Sequence, residues 1–249
     1  MKGSEIKGLS SRVCQIIYIE SIDSTQEEAK RLYREGKLCD GTIIWAGEQT
    51  CGRGRHGKKW ISPQGRGLWF TFAFRPKLEG NELNLLSLVT ALAVVDALSE
   101  LGLNALVKWP NDVLLSGKKV CGILIEGLFN GRELDYCLLG VGLNLRDISD
   151  VPDSTSLESE IGFPVKEEVI LSIMINNIFR ELESLWFRKK EVLSRYKSIC
   201  INLGREIVFK REGKLFKGEA LDINDDGRLI VKVDDNLELL CSEVVESVR

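Results

Sequence analysis

Asn130-Gly131 separates two strand-like apolar runs, Lys119–Leu128 and Leu134–Leu143. A dipeptide of this kind suits the tightest turns between antiparallel strands, so the two runs are expected to form a hairpin. That pairing restricts the fold more than any other local signal, because it fixes which strands are neighbours. The first run begins with Lys119 and continues through Val120-Cys121-Gly122-Ile123-Leu124-Ile125, with Gly122 allowing something flat to approach closely. The second ends in Gly140-Val141-Gly142-Leu143-Asn144, where the ordinary reading of the glycines is a β-bulge.

Further strands are expected at Val13–Glu20, Thr42–Glu48, Gly67–Phe74, Ala105–Trp109 and Val113–Leu115, all short and bounded by turn residues. Asp23-Ser24-Thr25 followed by Glu27 and Glu28 signals a helix start, and that helix should end at Gly36. Asn81–Gly102 carries apolar residues at 83, 86, 89, 92, 93, 97, 98 and 101, close to a 3.6-residue period, and predicts a long buried helix. Lys166–Cys200 predicts another, with Leu171, Ile175, Ile178, Leu182 and Leu185 on one stripe. Beyond Leu203 the texture changes to short strands at Glu206–Lys210, Leu215–Ile223, Arg228–Val233 and Leu237–Cys241, with tight turns between them. About five short strands in so small a span predict an SH3-like barrel. The expected division is therefore a domain over 1–202 and a smaller one over 203–249.

Composition narrows the function. The chain has 249 residues and a net charge of −3, and its last segment holds 8 basic and 11 acidic residues, a poor match for a nucleic-acid clamp. Seven scattered cysteines with no Cys-x-x-Cys suit free thiols in a reducing compartment. With His56 as the one histidine, a soft-metal site has almost no ligands to draw on. The N-terminus has no apolar signal segment, and the longest apolar run, Leu85–Leu98, is too short to span a bilayer. A cytoplasmic location without membrane association is expected.

One stretch departs from this mild background. Cys51–Trp60 alternates Gly52, Gly54 and Gly57 with Arg53, Arg55, His56, Lys58 and Lys59, and no acidic residue intervenes. A backbone relieved of Cβ atoms and lined with cations can close over an anion. The spelling also fits a dinucleotide fingerprint and most of a Walker A loop. Both need a helix directly after the glycines, and Trp60-Ile61-Ser62-Pro63-Gln64-Gly65 cannot start one there. The stretch is read as a loop between two strands.

Lys108-Trp109-Pro110-Asn111-Asp112 is a turn that presents polar side chains at a strand end. Taken with Ser24-Thr25, Gln49, the Gly52–Gly57 loop, Trp60, Lys119–Ile123 and Gly140–Asn144, it resembles the biotin protein ligases. The pieces fall in that family's order over about residues 20–145, and the tail resembles its C-terminal domain. The resemblance implies an α+β fold, with a mixed sheet and helices like those of class II aminoacyl-tRNA synthetases. It implies that biotin and ATP give biotinyl-5′-AMP and pyrophosphate, and that a lysine of a biotin carboxyl carrier protein then takes the biotinyl group. It further implies Mg²⁺ carried largely by the ATP phosphates, with Asp112 as the one protein contact considered.

Site residues follow from the same resemblance. Lys119 and Arg55 are expected to be catalytic. Ser24, Thr25, Gln26, Gln49, Arg53, Gly54, Arg55, Lys119 and Gly122 are expected to hold biotin, with Trp109 as a dry wall. Arg53, Arg55, Trp60, Lys108, Asn111, Asp112, Lys119 and Asn144 are expected to hold ATP or the adenylate. Gln26 stands where many relatives have Asn, and His56 where Arg is common. Only some twenty residues precede Ser24-Thr25, so a DNA-binding helix-turn-helix and operator binding are not expected. Relatives often dimerise through sheet edges, which makes a homodimer an expectation too. A lipoate ligase of the same fold and a nucleic-acid-binding regulator are the rivals. The first lacks the paired loop and turn motifs, and the second does not suit the charge.

Overall fold

A computed structural model describes residues 6–77, 82–149, 151–241 and 243–248. Seven strands form one mixed sheet: β1 Gln15–Ile22, β2 Thr42–Gln49, β3 Gly67–Phe74, β4 Leu106–Lys108, β5 Asp112–Leu115, β6 Lys118–Asn130 and β7 Glu133–Asn144. Their spatial order is β1-β2-β3-β7-β6-β5-β4, with β1 and β2 parallel and every other pair antiparallel. The hairpin expected from the sequence is β6–β7. Its strands run further than expected, so that Asn130 pairs with Glu133 and the turn itself is Gly131-Arg132. Gly131 takes φ 62 in the first turn position, the glycine-first pattern of a II′ turn.

The period of two along each strand sorts side chains between two faces. Ile43, Trp45, Phe70, Phe72, Ile123, Leu139, Val141 and Leu143 enter the main core, packed under α2 (Leu83–Ser99) and α4 (Glu167–Ser198). Helix α2 lies within the span expected for it, apolar on nearly all sides because sheet and α4 enclose it. Asn81, where its start was expected, lies outside the described residues. Ile44, Ala73 and Leu138 face the other way, onto Ala29 of α1 (Thr25–Arg34). Helix α1 is short and packs chiefly on β2, β3 and β7. The rest of that face is left for the site. A short α3, Leu157–Ile161, had no clear sequence signal.

After α4 the chain runs alongside β4. Val107 N–H donates to Ile199 O (3.0 Å) and Ile201 N–H to Val107 O (2.9 Å). It then enters a separate antiparallel sheet of β8 Arg205–Arg211, β9 Lys214–Ile223, β10 Leu229–Val233, β11 Asn236–Leu240 and β12 Val244–Val248, ordered β11-β10-β9-β8-β12. Strand β12 was not located from the sequence; it returns beside β8. The two sheets share one core. At their junction buried Trp109 donates its backbone N–H to Asn202 Oδ1 (2.7 Å) and its indole N–H to Gly227 O (3.0 Å). Among the described residues no helix is long and apolar enough to cross a membrane.

Candidate active site

Gly122, Gly140 and Gly142 lie on the face that α1 leaves uncovered, since their neighbours Cys121, Ile123, Leu139, Val141 and Leu143 point into the main core. The pairing of β6 with β7 is continuous past them, so the glycines do not mark a bulge; the one irregularity falls at Leu128/Phe129. They are needed for close approach. A Cβ at Gly142 would stand 2.3 Å from Trp60 Nε1, one at Gly122 2.8 Å from Trp60 Cζ3, and one at Gly140 2.8 Å from Gln26 Nε2. The flat object that Gly122 admits is therefore the indole of Trp60. Gly142→Ala should lower stability by about 1–3 kcal/mol through overpacking, read as a shifted urea midpoint. In a Trp60→Gly background the same change should cost far less, and an equal cost in both would show that the ring is not the obstacle.

The N-terminus of α1 supplies the polar end of the cavity. Ser24 is the N-cap residue, but its hydroxyl makes no capping bond. Instead Gln49 Oε1 accepts from Thr25 N–H (2.9 Å) and Thr25 Oγ1 (3.2 Å), while Gln49 Nε2 donates to Ser62 Oγ (3.0 Å). Thr71 Oγ1 in turn donates to Thr25 Oγ1 (2.8 Å). Thr25 and Gln49 thus brace each other. Gln26 Nε2 donates to Leu124 O (3.0 Å) and Asn144 Nδ2 to Thr155 O (3.2 Å). Ser24 Oγ, Gln26 Oε1, Asn144 Oδ1 and Trp60 Nε1 are buried with no hydrogen-bond partner among the described residues. Leaving such atoms unmatched costs roughly 1–3 kcal/mol each, so together they describe what a ligand must offer.

The basic loop is folded back on itself. Trp60 N–H donates to Gly52 O (2.9 Å), Gly54 N–H to Lys58 O (2.7 Å), and Arg53 bridges to Lys59. Arg55–Gly57 makes a single 3₁₀ turn, with His56 left-handed at φ 54. Gly52 passes so close to Trp60 that a Cβ would meet its carbonyl at 2.3 Å. Two cations fasten the loop to the domain: Arg53 is ion-paired with Glu27 of α1, and Arg55 Nη1 donates to Asn111 Oδ1 (2.9 Å). Half-buried Arg55 has its pKa drawn below the usual arginine value, chiefly by desolvation. Asn111 is itself held through Nδ2 on Ile123 O (2.8 Å). Lys119 Nζ lies 2.5 Å from Asp112 Oδ1 and 5.1 Å from the centre of the Trp60 ring.

Every residue expected from the sequence to hold biotin, ATP or the adenylate lines this one cavity of about 700 Å³, including Lys108 and Gly54. Trp109 lines it as well, but as the bolt to the second sheet described above. Two contributors had no sequence signal. Val151–Ser154 closes one wall, held where Lys119 N–H donates to Asp153 O (2.9 Å) and Thr155 N–H to Lys119 O (3.0 Å). Glu243 and Val245 reach the rim from the second sheet. Among the described residues no three His, Cys, Asp or Glu side chains gather as a metal site. Cys121 points into the main core, and burial raises its thiol well above its usual range.

A family model described as the biotin/lipoate A/B protein ligase family matches residues 18–144, and one described as the biotin protein ligase C terminal domain matches 203–244. The bifunctional ligase/repressor BirA of Bacillus subtilis is 30% identical over 256 residues, covering 98% of this chain and 78% of that protein. A biotin--[acetyl-CoA-carboxylase] ligase of Paracoccus denitrificans is 32% identical over 223 residues, covering 84% and 91%. The solved biotin protein ligase of Aquifex aeolicus, in complex with biotin and ATP, is similar with a TM-score of 0.79 and 31% identity over 94% of this chain and 98% of that one. Fold, cavity and relatives place this enzyme among the ligases of the biotin/lipoate type. Within that class the chain belongs to the biotin protein ligases.

Proposed function

We propose that the enzyme joins biotin to ATP as biotinyl-5′-AMP and then passes the biotinyl group to a lysine of a biotin carboxyl carrier domain. The observation that carries this reading is the polarity of the cavity. Unpartnered Ser24 Oγ and Gln26 Oε1 stand at the N-terminus of α1, while Lys119 and the loop cations Arg53 and Arg55 line the same cavity. A ureido ring has two N–H donors and a carbonyl, which Gln26 Oε1 and Ser24 Oγ complement, while Thr25 and Gln49 fix the wall beside them. The aliphatic chain then crosses the glycine-and-indole floor with its carboxylate towards Lys119.

In the first step a carboxylate oxygen attacks the α-phosphorus and the bond to pyrophosphate breaks. Charge grows on the α-phosphate oxygens, where Lys119 and Arg55 can neutralise it. Asn144 Oδ1, buried and unpartnered, would accept from the adenine amino group, and Asn111 and Asp112 would border the phosphates. A Mg²⁺ ion arriving with the nucleotide would find the Asp112 carboxylate at the cavity wall and would supply further charge neutralisation there. In the second step the carrier amine attacks the acyl carbon and AMP leaves. Residues 1–202 furnish floor, lid and cations, and residues 203–249 furnish part of the rim.

The direct test is biotin-dependent ATP–pyrophosphate exchange, with lipoate in a parallel arm, followed by transfer to a carrier domain. Exchange driven by lipoate instead of biotin would overturn the proposal. Ser24→Ala should raise KM for biotin about fivefold, the worth of one hydrogen bond, while kcat holds. An unchanged KM would remove Ser24 from the ureido site.

A further inference from the structure

Arg53 is read above as a ligand-binding cation, but its nearest partner is a side chain of α1. Glu27 Oε1 is shared between Arg53 Nη1 and Lys30 Nζ (2.9 Å to the lysine), and Lys30 Nζ also lies 2.9 Å from Glu126 Oε1 on β6. Four alternating charges, Glu126, Lys30, Glu27 and Arg53, thus run from the sheet to the loop. The three inner members keep side-chain exposures of 24%, 22% and 28%, whereas Arg53 at the open end keeps 46%. The chain is anchored at the sheet and free at the mouth of the cavity. Lys30 and then Arg53 hold the Glu27 carboxyl below its usual pKa, so it stays ionised.

An ion pair this exposed adds little to stability. Its geometric effect is larger. A guanidinium carries five donors in a rigid fork. Glu27 occupies one terminal nitrogen of Arg53, and the other two nitrogens have no partner among the described residues, although Arg53 lines the cavity. One edge of the fork is held and the other is offered.

We propose that Glu27 is a positioning residue for Arg53, holding its guanidinium so that the free edge meets the anionic end of the acyl substrate as the loop closes. Without Glu27 the arginine must be ordered by the ligand itself, and that ordering weakens binding without altering the bond-making step. This rests on the proposed function, since it presumes an acid substrate in the cavity.

Glu27→Gln, Lys30→Met and Glu28→Gln test it by exchange kinetics at low and high salt, with thermal unfolding alongside. Glu28 is the control: it pairs with Arg31 and does not line the cavity. Glu27→Gln is expected to raise KM for biotin about fivefold at low salt, with kcat and Tm near wild type, and the increase should shrink as salt screens the pair. Lys30→Met, which frees Glu27 from the sheet, should raise KM in the same direction by less. An unchanged or lowered KM for Glu27→Gln, or an equal rise for Glu28→Gln, would overturn the assignment. A wild-type protein with no biotin-dependent exchange would overturn the proposed function first, and this inference with it.

Discussion

Lys119→Ala is expected to lower biotin-dependent ATP–pyrophosphate exchange by about a hundredfold or more, equivalent to roughly 3 kcal/mol of transition-state stabilisation. The size follows from electrostatics. In the proposed reaction two anions must meet before the α-phosphorus can be attacked, and Lys119 would be the cation at their meeting place. Its backbone is pinned by Asp153 and Thr155, and its ammonium is held between Asp112 and the Trp60 ring. Only one of its three ammonium donors is engaged by Asp112, which leaves capacity for carboxylate and phosphate oxygens. Folding should survive, because Asp112 is only half-buried and can be hydrated once its partner is gone. The effect should fall on kcat as well as on kcat/KM, the signature of an interaction made mainly in the transition state. Exchange within about tenfold of wild type would deny Lys119 that role.

How much of this was legible in the sequence depends on the range of the forces involved. The hairpin, the long α2 and the loop between strands were readable because turn chemistry and periodicity are local. The shift of the turn from Asn130-Gly131 to Gly131-Arg132 was not, since pairing energy along both strands sets where the ladder ends. The cavity's cations were visible as a cluster of letters, but their partners were not. Arg53 on Glu27 is a contact 26 positions apart and Arg55 on Asn111 one of 56, and nothing in either segment announces it. The glycines at 140 and 142 could equally have meant bulges; what decided them was Gln26 against Gly140 and the indole of Trp60 against Gly142. Thr25 and Gln49 carried the right chemistry for a ligand, yet tertiary packing has partly engaged them with each other. Ser24 shows the reverse case. A serine at an N-cap is expected to cap, and the fact that Gln49 does so instead is what leaves its hydroxyl for a ligand. The contribution of β12 was hidden because a rim residue such as Val245 is brought in by topology alone.

Arg55→Gly is expected to turn the enzyme into one that leaks its intermediate. Arg55 reaches from the 3₁₀ turn of the loop to Asn111, and Asn111 is tied to Ile123 O on the floor strand. The arginine thus ties the tip of the loop to the cavity wall, at what the proposed function makes the phosphate end. Its burial disfavours the charge and draws its pKa down. Glycine removes both the tie and the counter-charge. A charge-assisted hydrogen bond is worth about 1.5–3 kcal/mol, so biotinyl-AMP should escape roughly ten- to a hundredfold faster. Formation of the adenylate should suffer less than its retention, because Lys119 remains. The released mixed anhydride acylates any accessible amine, so bystander proteins mixed with the variant, biotin and ATP should become labelled on lysines. Wild-type enzyme under the same conditions should label the carrier domain almost alone, since a closed loop keeps water and stray amines away. Labelling that stays confined to the carrier in the variant would mean that the loop is not the barrier to escape. The closure would then have to lie with Val151–Ser154, the other wall against Lys119.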